Sequence, residues 1–111
     1  MRYARRMIAR RWRARATEEG AERYRRYLAG HVVPVLQSIP GFCGLYLFAG
    51  ADEADAQIAI EVVTLWESFH AIRDFAAPDI DLAVVDAEAA ATLIDYDRRV
   101  VHCSVTHFPS V

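Results

Sequence analysis

The stretch Gln57–Phe75, QIAIEVVTLW followed by ESFHAIRDF, decides how the chain folds. Ile58, Ile60, Val62, Val63 and Thr64 are β-branched and suit a strand running from Gln57 to Trp66. Ser68 is placed to cap the segment after it, where Ala71, Ile72 and Phe75 fall at helical spacing. The strand thus brings a large aromatic, Trp66, to its own end, where a helix folds back over the sheet. In a small α+β domain that corner is where an apolar pocket can open.

The same reasoning extends in both directions. Met7–Ala16 alternates as a first strand, with Ile8, Arg10, Trp12 and Ala14 on one side. Thr17 is a helix cap with Glu18 and Glu19 in the first turn, and Ala21, Tyr24, Leu28, Val32, Val35 and Leu36 form the apolar stripe of the helix. Gly30 and Pro34 are expected to bend or split it. After a turn at Pro40-Gly41, Phe42–Ala49 reads as the second strand and Gly50–Ala56 as a polar hairpin loop. Beyond the Trp66 corner the helix ends near Ala77-Pro78. Short helical pieces are expected over Asp79–Val85 and Ala87–Ile94, then a last strand over Arg98–Phe108. The order β-α-β-β-α-β with an antiparallel sheet is the ferredoxin-like plan, an α+β fold.

The second strand is apolar on both sides: strict alternation puts Phe42, Tyr46 and Phe48 on one face and Cys43, Leu45 and Leu47 on the other. An antiparallel sheet with one wet face alternates apolar and polar residues, and two helices cover only one face. A second copy of the sheet is the simplest cover for the other, so the expectation is a homodimer packed sheet to sheet.

With 111 residues the chain is read as one domain over residues 7–111, preceded by a loose leader, Met1–Arg6. The leader is basic but lacks the apolar centre of a signal peptide, and no stretch of eighteen apolar residues suggests a membrane span. Cys43 and Cys103 lack C-x-x-C spacing and sit in apolar strands, which favours buried thiols and a reducing, cytoplasmic setting. Of the 13 Arg, ten fall in residues 1–30, but they spread over leader, strand and helix, and the net charge is −2. That pattern reads as a solvated surface rather than a nucleic-acid interface.

Taken together, I-A-R-R-W-R-A from Ile8, P-G-F-C-G-L-Y from Pro40, W-E-S-x-x-A-I-x-x-F-A from Trp66 and V-V-H-C-S-V from Val100 resemble the antibiotic biosynthesis monooxygenase family. The similarity spans about residues 7–105. It implies a dimeric α/β barrel with a pocket in each subunit between sheet and helices. Some members of that family oxidise aromatic anthrones to quinones with molecular oxygen and no cofactor, and others bind and degrade heme. Heme degradation is disfavoured here. The heme degraders carry an Asn on the first strand and an axial His near the position of Ala76, whereas this chain has no Asn and its His70 lies more than a turn earlier. The anthrone oxygenases use a side-chain amide near the pocket, but Gln37 and Gln57 are the only amides here and neither lies at the corner.

Cofactor-free oxygenation requires a base, a donor for a developing oxyanion and aromatic walls. His102, inside an apolar strand, is the candidate base, against the plainer reading of a core histidine bonded to backbone. Arg10 supplies a buried donor if its strand face turns inward and joins the solvated surface if it turns outward. Trp66, Phe75, Ile72 and Tyr46 are the candidate substrate contacts, with a core role as the alternative reading of the aromatics. His31 is a candidate for the pocket rim or for a loop role. The histidine and cysteine spacings give no metal-site pattern, so no metal is expected. The resemblance to the anthrone oxygenases implies that no cofactor is needed, with heme the disfavoured exception. The rival function is a non-catalytic binding or stress-response protein of the same fold holding a hydrophobic metabolite, and a third, weaker reading is heme binding without the usual ligand.

Overall fold

The computed structural model describes residues 6–52 and 56–110. The expected leader falls mostly on residues 1–5, outside the described residues, and Arg6 already belongs to the first strand. β1 (Arg6–Ala16) is the centre of the sheet. It pairs antiparallel with β3 (Gln57–Trp66) along most of its length. On its other side it pairs with β5 (Val101–Thr106) at its start and with the short β4 (Asp95–Tyr96) at its end. β2 (Phe42–Asp52) forms the far edge against β3. The order β2-β3-β1 with the last strand beside β1 is the ferredoxin-like plan expected from the sequence.

Cross-strand partners share a face, so the register decides which side chains meet the helices. Arg10, Trp12 and Ala14 lie opposite Thr64, Val62 and Ile60, and this row is buried under the helices. On β2 a bulge between Phe42 and Gly44, with Gly44 at φ +149°, shifts the alternation by one. Phe42 therefore joins Leu45 and Leu47 on the helix side, and Cys43 joins Tyr46 and Phe48 on the open side. This reverses the strict alternation read from the sequence for Phe42 and Cys43.

Thr17 caps α1 (Glu18–Tyr27) as expected, its hydroxyl accepting from the Gly20 amide at 2.9 Å. The helix is not split at Gly30 and Pro34. It widens into a π-helical turn over Leu28–Val32 and continues as α2 (Val33–Gln37). Pro34 sits in the first turn of α2, where its missing N–H is tolerated. Ser68 caps α3 (Phe69–Ala76), accepting from the Ala71 amide at 3.1 Å. The helix stops before Ala77-Pro78, with Ala77 already extended, because the residue before proline avoids the helical region.

The chain departs most from expectation between α3 and β5. Asp79–Val85 is not helical: it is an irregular strap with one bridge, Leu82 to Arg99. α4 is only Ala87–Ala90, capped by Asp86, and the last strand is shorter than Arg98–Phe108. The strap carbonyls are instead met by Arg10, whose terminal nitrogens donate to Ile80 O at 3.3 Å and Leu82 O at 2.7 Å.

The start of α1 touches the turn after α4 closely. A Cβ on Gly20 would lie 2.3 Å from the backbone oxygen of Thr92, so one backbone would have to move. Gly20→Ala is expected to lower unfolding free energy by about 1–3 kcal/mol in urea denaturation, even though alanine favours helix elsewhere.

Candidate active site

A cavity of about 240 Å³ opens between the helix side of the sheet, the α1–π–α2 helix and the segment 83–89. Trp12, Leu45 and Val62 form its floor; Leu28, Val32 and Leu36 come from the helix, Phe75 from α3, and Val84 and Val85 from the strap. This is small for a ligand pocket and mostly apolar, with its polar groups gathered at two ends.

Arg10 marks the buried end. It is 4% exposed, and its guanidinium carbon lies 5.7 Å from the centre of the Phe75 ring. Burial pulls its pKa down to about 10, opposed by the charge of Asp81, so it stays cationic at neutral pH. The face of β1 that carries Arg10 turns inward, which places the guanidinium at the cavity rather than on the surface.

The open end carries Tyr27, His31 and Asp86. The His31 ring stacks on Tyr27 at 5.1 Å, and the Tyr27 hydroxyl donates to Asp86, which also caps α4 by accepting from the Ala89 amide at 2.9 Å. The bond to Asp86, with burial second, raises Tyr27 to about 12, and the same bond, then the Ala89 amide, lowers Asp86. Tyr24, also at the cavity, is pushed above the usual phenol range, chiefly by burial. Neither phenol ionises near neutral pH. His31 is exposed and is the histidine that lines the cavity among the described residues.

The structure divides the six residues singled out from the sequence. Arg10 and Phe75 line the cavity. Trp66 does not: it is fully buried, its indole N–H donates to the Thr64 hydroxyl at 2.8 Å, and Phe42 and Phe75 pack on it at 5.3 and 5.8 Å. Ile72, also fully buried, belongs to the same core cluster. Both support Phe75 from behind instead of facing a ligand. Tyr46 is on the open side of the sheet, 58% exposed and stacked on Phe48. His102 faces the helix side opposite Arg10 but lies outside the cavity lining. Its Nδ1 is 3.4 Å from Asp81, its Nε2 is buried without a hydrogen-bond partner, and Phe69 meets its ring edge-on at 5.4 Å.

Reading the sequence strand by strand missed Trp12, Tyr27 and Asp86. The indole N–H of Trp12 donates to Asp97 O at 2.8 Å, leaving its ring to form the cavity floor. One usable signal was present: Tyr24, Tyr27 and His31 recur at helical spacing, so one stripe of the first helix carries polar tips on aromatic rings.

No protein-family model matches the chain, and no curated protein matches its sequence. Solved structures match its fold. A monooxygenase from the gene ActVA-Orf6 of Streptomyces coelicolor, in complex with nanaomycin D, superposes with a TM-score of 0.54 at 16% identity, covering 97% of this chain and 91% of that one. SnoaB, a cofactor-independent oxygenase from Streptomyces nogalater, gives a TM-score of 0.53 at 17% identity, covering 97% and 98%. The chain shares the ferredoxin-like α+β fold of these two oxygenases, the fold that its sequence resemblance implied, and at these identities the likeness is one of fold alone.

The setting of His102 has a measurable consequence. Burial, and then the charge of Arg10, lowers its pKa below the ordinary 6.5, with Asp81 opposing. Below that ordinary value the unfolded chain takes up the proton more readily than the folded one. Stability should therefore fall as pH drops from about 7 towards 5, and His102→Gln should flatten that slope in urea titrations. In the folded protein the His102 ring should titrate below 6.5 by NMR.

Proposed function

We propose that the chain is a cofactor-independent monooxygenase acting on a small aromatic of the anthrone or quinol type, as a cytoplasmic homodimer packed sheet to sheet. The observation that carries this reading is the cavity: apolar walls, a buried cation at one end and a histidine at the other, within a fold shared with SnoaB. For an anthrone the chemistry is balanced without any further reagent. A base removes one proton from the ring methylene, and the carbanion adds oxygen at that carbon to give a peroxide. Loss of the second hydrogen with cleavage of the O–O bond then gives the ketone and water. Each turnover consumes one molecule of oxygen, half of it ending in the quinone.

His31 is the base in this reading, since it lines the cavity and stacks on Tyr27, whose hydroxyl is held by Asp86. Phe75 and Trp12 flank the aromatic plane, and apolar walls keep water from the carbanion. His102 could act only through Arg10, its partner across the strands. Among the described residues no helix is long and apolar enough to cross a membrane. Neither Cys43 nor Cys103 forms a disulfide; contrary to expectation both are exposed in the single chain, on the side of the sheet that a dimer would cover.

Metal-stripped protein given anthrone should consume oxygen and yield anthraquinone in equal amounts. His31→Gln should lower the rate about a hundredfold, whereas His102→Gln should change it only a few-fold. Loss of the rate in His102→Gln alone would return the base to that residue, and uptake no faster than buffer with both anthrone and an anthrone carboxylic acid would overturn the oxygenase reading.

The dimer is supported by the open side of the sheet, where Tyr46 and Phe48 stand 58% and 54% exposed beside Val63, Leu65 and Val105. Analytical ultracentrifugation should give a dimer for the wild type and a monomer for Phe48→Asp, since a buried unpaired carboxylate opposes association. A wild-type monomer at tens of micromolar would remove that part of the proposal.

A further inference from the structure

The Arg10 guanidinium is charged before any substrate arrives, and it is nearly inaccessible to water. A guanidinium has five N–H donors, and only two are engaged, by the carbonyls of Ile80 and Leu82. Carbonyls orient a cation but do not neutralise it. Among the described residues no carboxylate lies within ion-pair distance. Asp81 acts from farther away, exposed to solvent and turned to His102. Asp86 is held by Tyr27 and the Ala89 amide at the other end of the cavity. The Thr64 hydroxyl is used by the Trp66 indole. Phe75 covers one face of the guanidinium, which leaves approach along an edge, where a planar anion makes two parallel bonds. A buried cation of this kind is costly unless an anion completes it.

We infer that the natural ligand is an aromatic acid whose permanently ionised group, a carboxylate or an acidic phenolate, docks edge-on against Arg10 while its ring lies on Phe75 and Trp12. For the proposed oxygenase this defines the substrate class, and to that extent it rests on that reading. It differs from a neutral anthrone in bringing its own negative charge to the buried end, which leaves the reacting carbon towards His31. The two ends of the cavity then have separate tasks: anchoring by charge at Arg10, proton removal at the rim.

A pair of unreactive probes of matched shape tests this without turnover: 2-naphthoate and 2-naphthylmethanol, followed by calorimetry and by the fluorescence of the tryptophans. Wild-type protein should bind the carboxylate at least about tenfold more tightly than the alcohol. The preference should vanish in Arg10→Met and survive, weakened, in Arg10→Lys, which keeps the charge but loses the planar fork. Should Arg10→Met fail to fold by circular dichroism, the Arg10 Nε–H resonance of the wild type gives the answer, moving with naphthoate and not with the alcohol. Equal affinities, binding of neither probe, a preference that persists in Arg10→Met, or an unmoved Arg10 resonance would each overturn the inference. Because neither probe is oxidised, the outcomes separate. A protein inert towards anthrone and an anthrone carboxylic acid but selective for naphthoate keeps the anion site and loses the oxygenase reading. An active one without selectivity does the reverse.

Discussion

The last third of the chain depends on two side chains of β1. From Ala77 to Val100 there is little regular structure to satisfy backbone polar groups, and such groups are costly when left unpaired away from water. Arg10 donates to the carbonyls of Ile80 and Leu82, and Trp12 to that of Asp97. Both residues lie in the same buried row of the same strand, so the sheet fixes where the strap can run. The strap in turn closes the cavity through Val84, Val85 and Asp86. The arginine that holds the wall in place is thus the one that charges the interior, and positioning and electrostatics cannot be separated at this residue.

That coupling also explains which parts of the site could be read from the sequence. Strand and helix periodicity located β1, β3, α1 and α3 to within a residue or so, because each has one buried face and a capping residue where the pattern changes, Thr17 and Ser68. Those patterns put Arg10 on one face with Ile8 and Trp12 and Phe75 on the helix stripe, but left open whether Arg10 turns inward and whether Phe75 is core or cavity wall. Trp66 did not, because a position at the end of a strand does not say whether the adjoining space is open. Here Phe42, Phe75 and Ile72 fill it. Tyr46 and Phe42 were misplaced relative to one another by a single bulge, and one extra residue, Cys43 between Phe42 and Gly44, is enough to exchange two faces. The strap was least legible of all. Its apolar residues at Ile80, Leu82, Val84 and Val85 mimic a helical turn, while the interactions that keep it extended come from residues about seventy positions away.

The first helix shows the opposite case, in which a local irregularity builds the site. A regular α-helix from Glu18 to Gln37 would have to accommodate proline at position 34 and the loss of one backbone hydrogen bond. The π-helical turn at Leu28–Val32 absorbs that mismatch just ahead of the proline. Leu28, His31 and Val32, three of its five residues, line the cavity. The stacking of His31 on Tyr27 spans the junction between α1 and this turn, so the imidazole is aimed by the widened backbone as well as by its neighbour. Gly30, in the same turn, has open space around the position a Cβ would take, so close packing is not why glycine stands there.

The two sides of the sheet meet different requirements with the same strands. On the helix side a cation is buried without a partner carboxylate. On the open side Arg11 donates to Glu61 at 2.8 Å, with Arg13 reaching the same carboxylate at 3.9 Å, amid Tyr46, Val63 and Leu65. Covering that side with a second copy would remove water from the Arg11–Glu61 pair. Desolvation is tolerable when opposite charges are already hydrogen-bonded and ruinous when one stands alone. On the open side two arginines share one carboxylate, so the Arg11–Glu61 charges are already hydrogen-bonded to each other before anything covers them, which favours the proposed dimer. The cation on the cavity side has carbonyl dipoles and the Phe75 ring against it, with the Asp81 charge farther away. The contrast between a hydrogen-bonded ion pair and an unneutralised arginine, separated by one residue step along β1, is the physical basis for proposing association on the open side and an anionic ligand in the cavity.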